Sequence, residues 1–341
     1  MRFATYNVEW MDRLFDQHGA LLNNDGWSGR YDVTRKQQTK ALGVVFKAMD
    51  ADAVMIIEAP DHSKQRDAVL ALENFAARFK LRARKAIIGF GNDTQQEIAM
   101  LYDPDAMTVH HDPRGEDFGE TGGRNAPRFD GAFRIDLDVD EVEDLVQFSK
   151  PPLELTIKTK AGFDLQMIGA HLKSKAPHGA QNRDEVMRYS IANRRKQLEQ
   201  AIWLRQRITD HLDQGTPLIV VGDMNDGPGL DEYEDLFGRS SVEILLGGEG
   251  MPQLFEPHAR MALSRKLTAT PTTSRFFVRP HKRFLQALLD YIMVSPKIQE
   301  RDAEWRIWHP LDDPICWKTP DLRDALVTAS DHFPVTLDVN I

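Results

Sequence analysis

The stretch Leu218–Pro228, LIVVGDMNDGP, runs four consecutive apolar residues into an acid, an amide and two glycines. A short apolar run bounded by turn formers predicts a fully buried strand. Asp, Asn, Gly and Pro are also ordinary turn residues, so this segment alone leaves the purpose of its polar end open. The rest of the chain has to decide it.

Working outward, MRFATYNV and ADAVMIIEAP read as strands, and Leu42, Val45, Phe46 and Met49 between them fall at amphipathic helical spacing. Leu72, Phe75, Ala76 and Phe79 repeat that spacing. Further strands are expected at KAIIGF, EIAMLYD, GAFRIDLDV, PLELTIKT, FDLQMIGAHL, PLIVVGD, LDYIMVS and FPVTLDV, with a helix from about Ala192 to Leu212. Helices that cluster early and mid-chain among many short-turned strands suit a mixed α/β layered sandwich better than a doubly wound parallel sheet. The polar stretches Gln17–Thr34, Asp112–Arg128 and Gly247–Lys266 read as loops, giving one domain over 1–341 with insertions near 11–34, 111–148 and 245–285.

Six strand ends carry an acid, amide or imidazole where an apolar run meets a loop. TYNVEW places Asn7 and Glu9 two apart, on one face of an extended segment. MIIEAP ends in Glu58, MIGAHLKSK carries His171, and IVVGDMND delivers Asp223 and Asn225. LLDYIMVS supplies Asp290, and TASDHFPV supplies Asp331 and His332. Taken singly, Glu58 reads as a solvated acid and either histidine as a hydrogen-bonded structural residue; the pattern favours a shared site. Hydrolysis of a phosphate ester asks for such a set: oxygen ligands for a hard cation, a base for water, and donors for phosphoryl oxygens. Glu58, with Glu9 or Asp331, suits Mg²⁺ or Mn²⁺; Asp223 suits proton transfer from water.

In their order, TYNVEW, IIEAP, GAHLKSK, VVGDMND, LDYIMVS and SDHFPV resemble the endonuclease/exonuclease/phosphatase superfamily, which includes pancreatic deoxyribonuclease, abasic-site endonucleases, inositol polyphosphate 5-phosphatases and neutral sphingomyelinases. The resemblance implies a four-layer α/β/β/α sandwich with its site at one end of two packed sheets. It implies that Asn7 orients phosphate, Glu58 is the principal metal ligand, and His171 binds phosphate. It further implies that Asp223 and Asn225 align the attacking water, that Asp290 orients His332, and that Asp331 lies near the metal. Glu9 departs from the aspartate common in the family, Lys150 stands where an arginine is common, and Tyr102 reads as a strand-end aromatic rather than the tyrosine some family nucleases use. The stretch before FSKPPLELTI looks like an added hairpin.

Composition bounds the substrate. With 43 Lys+Arg against 52 Asp+Glu the formal charge is −9, so an anionic ligand must be drawn by a local patch or a metal. The single cysteine, Cys316, excludes an internal disulfide and a Cys-rich zinc site. Mean hydropathy is −0.45, no apolar run approaches a membrane span, and MRFATYNVEW lacks a secretory h-region, so a cytoplasmic location is expected. Asp136–Asp144, DLDVDEVED, lacks the glycine of a calcium loop and reads as a solvated strand; Arg194, Arg195 and Lys196 read as the wet face of a helix. Two basic segments point to nucleic acid: Lys173 and Lys175 beside His171, and SRFFVRPHKRF, where Arg275, Arg279 and Arg283 alternate with aromatics. The leading expectation is a metal-dependent nuclease, with no obligate protein partner. The alternatives are a phosphatase or phosphodiesterase of an inositol phosphate, sphingolipid or other small ester, and a non-catalytic binding module on the same fold.

Overall fold

The computed structural model describes residues 1–136, 143–177, 179–228, 237–264, 270–278 and 282–341. In chain order its strands are β1 (Arg2–Asn7), β2 (Ala53–Ala59), β3 (Lys85–Ile88), β4 (Glu97–Tyr102), β5 (Met107–His111), β6 (Phe133–Ile135), β7 (Asp144–Val146) and β8 (Leu153–Thr159). There follow β9 (Asp164–His171), β10 (Leu218–Asp223), β11 (Ser274–Val278), β12 (Arg283–Ala287), β13 (Asp290–Val294), β14 (Glu304–Ile307) and β15 (Val335–Asp338). The helices that matter most are α1 (Arg35–Met49), α2 (Ala68–Phe79), α3 (Arg183–Asp213) and the C-terminal helix Pro320–Ala329.

The strands form a six-stranded sheet ordered β14-β15-β1-β2-β4-β3 and a five-stranded sheet ordered β13-β10-β9-β8-β5. Their apolar faces meet: Phe3, Met55, Ile57, Ile98 and Met100 pack in one cluster with Leu155, Met167, Ile219, Val221 and Ile292. The alternate residues face outward to helices, as the two-residue strand period requires. On one side Ala4, Tyr6, Val54 and Ile56 pack with Leu42, Phe46, Phe75 and Leu326. On the other, Leu218, Val220 and Ile168 pack with Leu198, Trp203, Leu204 and Ile208 of α3. The layers are therefore α/β/β/α, and β10 is apolar on successive residues because both of its faces are covered.

Sequence periodicity located these central strands and helices but missed the partly exposed ones. Helix α3 begins nine residues before the expected Ala192, at Arg183, with the Asn182 side chain accepting the Glu185 N–H at 2.9 Å. Its first turns are mostly exposed, so no apolar stripe announces them. The expected strand GAFRIDLDV shortens to β6, paired with β7 as a small hairpin; 137–142, within the acidic stretch, lie outside the described residues. The expected loop Gly247–Lys266 contains a helix, Pro257–Leu263, opened by the Glu256 side chain. Strands β5, β14 and the β11–β12 hairpin, and the C-terminal helix, were not anticipated.

The segment ahead of β8 is held against α3: Phe129, Phe133 and Phe148 surround Trp203, whose indole N–H donates to the Pro127 carbonyl at 3.1 Å. Buried Arg207 pairs with Glu154 and donates to the Ala126 carbonyl at 2.8 Å.

Gly222 precedes Asp223 with φ +137°, and a Cβ there would overlap the Ala170 carbonyl oxygen of β9. The close approach of β9 and β10 at the site end thus demands glycine. Gly222→Ala is expected to lower stability by about 2–4 kcal/mol, read from the urea unfolding midpoint. An unchanged midpoint would show that the strands can move apart there.

Candidate active site

Strand direction explains why polar residues at both ends of strands converge. β1 runs parallel to β2, and β9 parallel to β10, whereas β15 is antiparallel to β1 and β13 to β10. The last residues of the parallel strands and the residues that open the antiparallel ones therefore share one edge. Asp223 is in register with His171 on one side and Asp290 on the other. Asn7, Glu9, Glu58, His171, Asp223, Asn225, Asp331 and His332 all line one open cavity of about 910 Å³.

Asp223 is 1% exposed. Its Oδ2 accepts from Asn7 Nδ2 at 3.0 Å, and its Oδ1 accepts from the Asn225 backbone N–H at 2.8 Å. Burial, partly offset by His332 and reinforced by the Asp290 carboxylate, raises its pKa to about 6. Asn225 has φ +50° and sends its side-chain amide to the Leu172 carbonyl at 3.1 Å.

His332 Nδ1 lies 2.8 Å from Asp290 Oδ2, and its Nε2 lies 3.8 Å from Asp223 Oδ2. Burial disfavours the imidazolium, yet Asp290 and Asp223 outweigh burial and hold its pKa well above the usual histidine range. Asp290 is itself oriented by the Thr273 hydroxyl, which donates at 2.8 Å and accepts the Leu289 and Asp290 N–H groups. Thr273 carries no motif signal, so sequence reading could not single it out. Phe276 meets the His332 ring edge-on, with centroids 5.4 Å apart.

His171 takes the opposite state. Burial, then the nearby Lys150 cation, push it well below its ordinary value, so its ring is neutral. Lys150 Nζ lies 3.2 and 3.3 Å from the two ring nitrogens, and Lys150 lines the cavity. Its position in FSKPPLELTI was visible in the sequence, but its approach to His171 was not.

Glu58 sits in a β-bulge: the β2/β4 register shifts between Ile57 and Ala59, and Glu58 adopts φ +63°. A bulge re-aims a side chain, and left-handed backbone in a non-glycine residue is strain that packing must maintain. Here it turns the carboxylate into the cavity, where it accepts the Trp10 N–H at 3.0 Å. Glu9 and Trp10 are also left-handed, at φ +46° and +57°. Buried Gln38 pins this exit from β1 by donating to the Val8, Glu9 and Ala329 carbonyls at 3.2, 3.0 and 3.1 Å.

The donor chemistry fits a hard divalent cation at Glu58, an oxygen ligand facing an open cavity. Glu9 and Asp331 are engaged differently. Glu9 pairs with Arg30, whose guanidinium also lies 4.0 Å from Asp331, and the Asp331 N–H donates to Glu9 at 3.0 Å. Burial and then Asp331 push Glu9 up to about 7. Asp223, Asp290 and His332 place one donor atom each within 4.8 Å of one another. In it the His332 ring lies between the two carboxylates, with Nδ1 toward Asp290 and Nε2 toward Asp223.

The expected cationic residues divide. Lys173 lines the cavity, with its pKa lowered by burial and then by Lys196. Lys175 also lines it, but its ammonium is 2.6 Å from Asp226, which in addition pairs with fully buried Arg194. Arg195 pairs with Asp144 and Glu199. Arg275 stacks on Phe284 at 3.4 Å, Arg283 is exposed on β12, and Arg279 lies outside the described residues.

The endonuclease/exonuclease/phosphatase family model matches residues 4–332. The chain belongs to this family. Family membership makes it a phosphoesterase of a metal-dependent class. No curated protein sequence matches the chain. Among solved structures it is similar to TDP2 from Caenorhabditis elegans, with 13% identity, a TM-score of 0.52, and all of this chain covering 75% of that one. It is also similar to the 3′ phosphatase NExo from Neisseria bound to product DNA hairpin, with 13% identity, a TM-score of 0.50 and full coverage of both chains. These likenesses concern the fold. Among the described residues, no helix is long and apolar enough to cross a membrane.

With Asp223 as the base and His332 as the proton donor, their two titrations would bound the activity. Asp223 becomes a carboxylate as pH rises through about 6, whereas His332 loses its proton only above the ordinary histidine range. kcat/KM is therefore expected to rise through about pH 6 and fall at alkaline pH. Asp290→Asn removes the charge that retains the His332 proton and should move the alkaline limb downward. An alkaline limb that stayed in place would dissociate it from His332.

Proposed function

We propose that this chain is a nuclease that hydrolyses phosphodiester bonds of DNA or RNA, with Asp223 as the base for the attacking water. The observation that carries the substrate class is the β11–β12 hairpin. Its registered pair Phe276 and Leu285 lines the cavity beside His332, Trp10 lines it as well, and Arg275 stacks on Phe284 in the same hairpin. An aromatic wall reaching the reacting end suits the faces of bases on either side of the scissile phosphate. The same fold accommodates a DNA hairpin in the Neisseria phosphatase.

A small phosphate ester is the second reading, favoured by a specific observation: Lys175 and Arg194 converge on Asp226, and Arg195 on Asp144 and Glu199. Lys175, one of the cations that the sequence offers to a polyanion, is thereby engaged within the protein.

In the proposed mechanism, Asn7 and the Asn225 N–H hold the Asp223 carboxylate so that one oxygen receives the proton of water. His332, kept protonated by Asp290, donates toward a phosphoryl oxygen as charge grows there. Neutral His171 and Lys150 add a polar wall to the same side of the cavity. Glu58 is the residue that would hold Mg²⁺ or Mn²⁺, which when bound supplies Lewis-acid polarisation of a phosphoryl oxygen.

Purified protein is expected to nick supercoiled plasmid or cleave RNA with Mg²⁺ or Mn²⁺. Chelator or Asp223→Ala should reduce the rate by at least about 10³-fold, within the range for loss of a general base. A folded preparation that leaves every DNA and RNA form intact yet turns over small esters would establish the second reading. Phe276→Ala should raise KM for polynucleotide about tenfold, as loss of a stacking contact of about 1–3 kcal/mol requires. KM for bis-p-nitrophenyl phosphate should change less than about twofold; equal increases would remove the stacking role.

A further inference from the structure

Resting on the nucleic-acid reading of the substrate, we propose that the outer face of the β11–β12 hairpin is a second nucleotide subsite. There Phe277 and Phe284 stack an unpaired base and Arg275 holds a phosphate of the same strand. The hairpin register assigns its two faces. Phe276 opposes Leu285 and Phe277 opposes Phe284, and successive residues of a strand alternate, so the second pair lies on the face turned away from the cavity. The inner pair lines the cavity, whereas Phe277 and Phe284 are 52% and 48% exposed with ring centroids 5.2 Å apart.

Arg275 belongs to the outer face, where its guanidinium carbon lies 3.4 Å from the Phe284 ring centroid. Among the described residues it forms no ion pair, and its Nε is buried without an acceptor. Its surroundings supply none. His309, 2% exposed, accepts the Leu311 and Asp312 N–H groups on Nδ1 at 3.2 and 3.0 Å, so its hydrogen stands on Nε2, itself buried without an acceptor. The Asp312 carboxylate approaches the other ring nitrogen, 3.2 Å from Nδ1. Burial lowers the His309 pKa, Asp312 raises it, and the nearby Arg275 cation lowers it again. His309 meets Phe333 edge-on at 4.7 Å, and β11 runs beside that segment, with the Arg275 N–H donating to the Asp331 carbonyl at 2.7 Å. Donors without acceptors at the root of the hairpin give it the polarity that suits an anion.

The route between the two faces is open. One edge of β11 is covered by Asp331 and His332, and its other edge pairs with β12. Arg283–Gln286 of β12 are exposed, and among the described residues no further strand lies beside them. A strand leaving the cavity past Leu285 crosses this free edge and meets Phe284 on the far side. A duplex keeps its bases stacked on one another, so aromatic faces here serve unpaired nucleotides, and a stacked guanidinium offers a fixed fork to phosphate. In a chain of formal charge −9 this patch carries Arg275 and exposed Arg283.

The test compares KM with Mg²⁺ for a dinucleotide, a twenty-nucleotide single strand and the same strand in duplex, as DNA and as RNA. A second arm measures fluorescence anisotropy of the labelled single strand in chelator. Wild type should show a KM about tenfold lower for the long single strand than for the dinucleotide, the size of one stacking contact. Phe284→Ala and Arg275→Gln should each lose most of that gain, with the loss confined to the long single strand, and should bind it about tenfold more weakly in chelator. A length gain that both variants keep would overturn the subsite and leave the nuclease reading standing, as would equal losses on dinucleotide and long strand. Binding that both variants weaken, with no strand cleaved, would overturn the nuclease reading and retain the subsite. Neither binding nor cleavage would overturn both.

Discussion

The hydrogen bond from Asn7 Nδ2 to Asp223 Oδ2, 3.0 Å long and buried, joins the end of one sheet to the end of the other. Its geometry depends on every layer behind it. The Phe3, Met55, Ile219 and Val221 cluster sets the separation of the sheets, and Gly222 sets how closely β10 follows β9. If either changed, the carboxylate would lose the Asn7 donor that holds it.

Around that bond, burial acts on neighbouring groups in opposite senses. Asp223 rises toward neutrality, His171 is held neutral beside Lys150, and His332 keeps its proton because two carboxylates face it. Two imidazoles on either side of one acid thus carry different charges. The difference comes from partners: Lys150 for one, Asp290 for the other. In the proposed mechanism this places a base and a proton donor together, the requirement for moving a proton from water while charge gathers on phosphate.

Strain is concentrated at the same edge. Glu9, Trp10, Glu58 and Asn225 all take left-handed backbone, which costs a non-glycine residue free energy wherever the surroundings do not enforce it. Gln38 and the bulge in β2 are the enforcing devices. They turn a strand that would otherwise alternate regularly into one that aims a carboxylate at the cavity, and they connect the rigid sandwich to the segment carrying Arg30.

Most of the central fold was legible in the chain because alternation and helical spacing are local: β1, β2, β4, β8, β9, β10, β13 and β15 all appear as apolar runs, and their polar termini name most of the cavity. The half-exposed β5, β14 and hairpin strands, and the first turns of α3, lack that contrast and stayed hidden. By itself the sequence determined which residue types stand at which strand ends, since those depend on neighbours in the chain. Only the tertiary structure decided which charges face the cavity and which are consumed. Lys175 and Arg194 meet Asp226, and Arg30 meets Glu9, across separations of 51, 32 and 21 residues. Pairing at that range depends on where folding brings two side chains, and neither residue's local pattern carries that information.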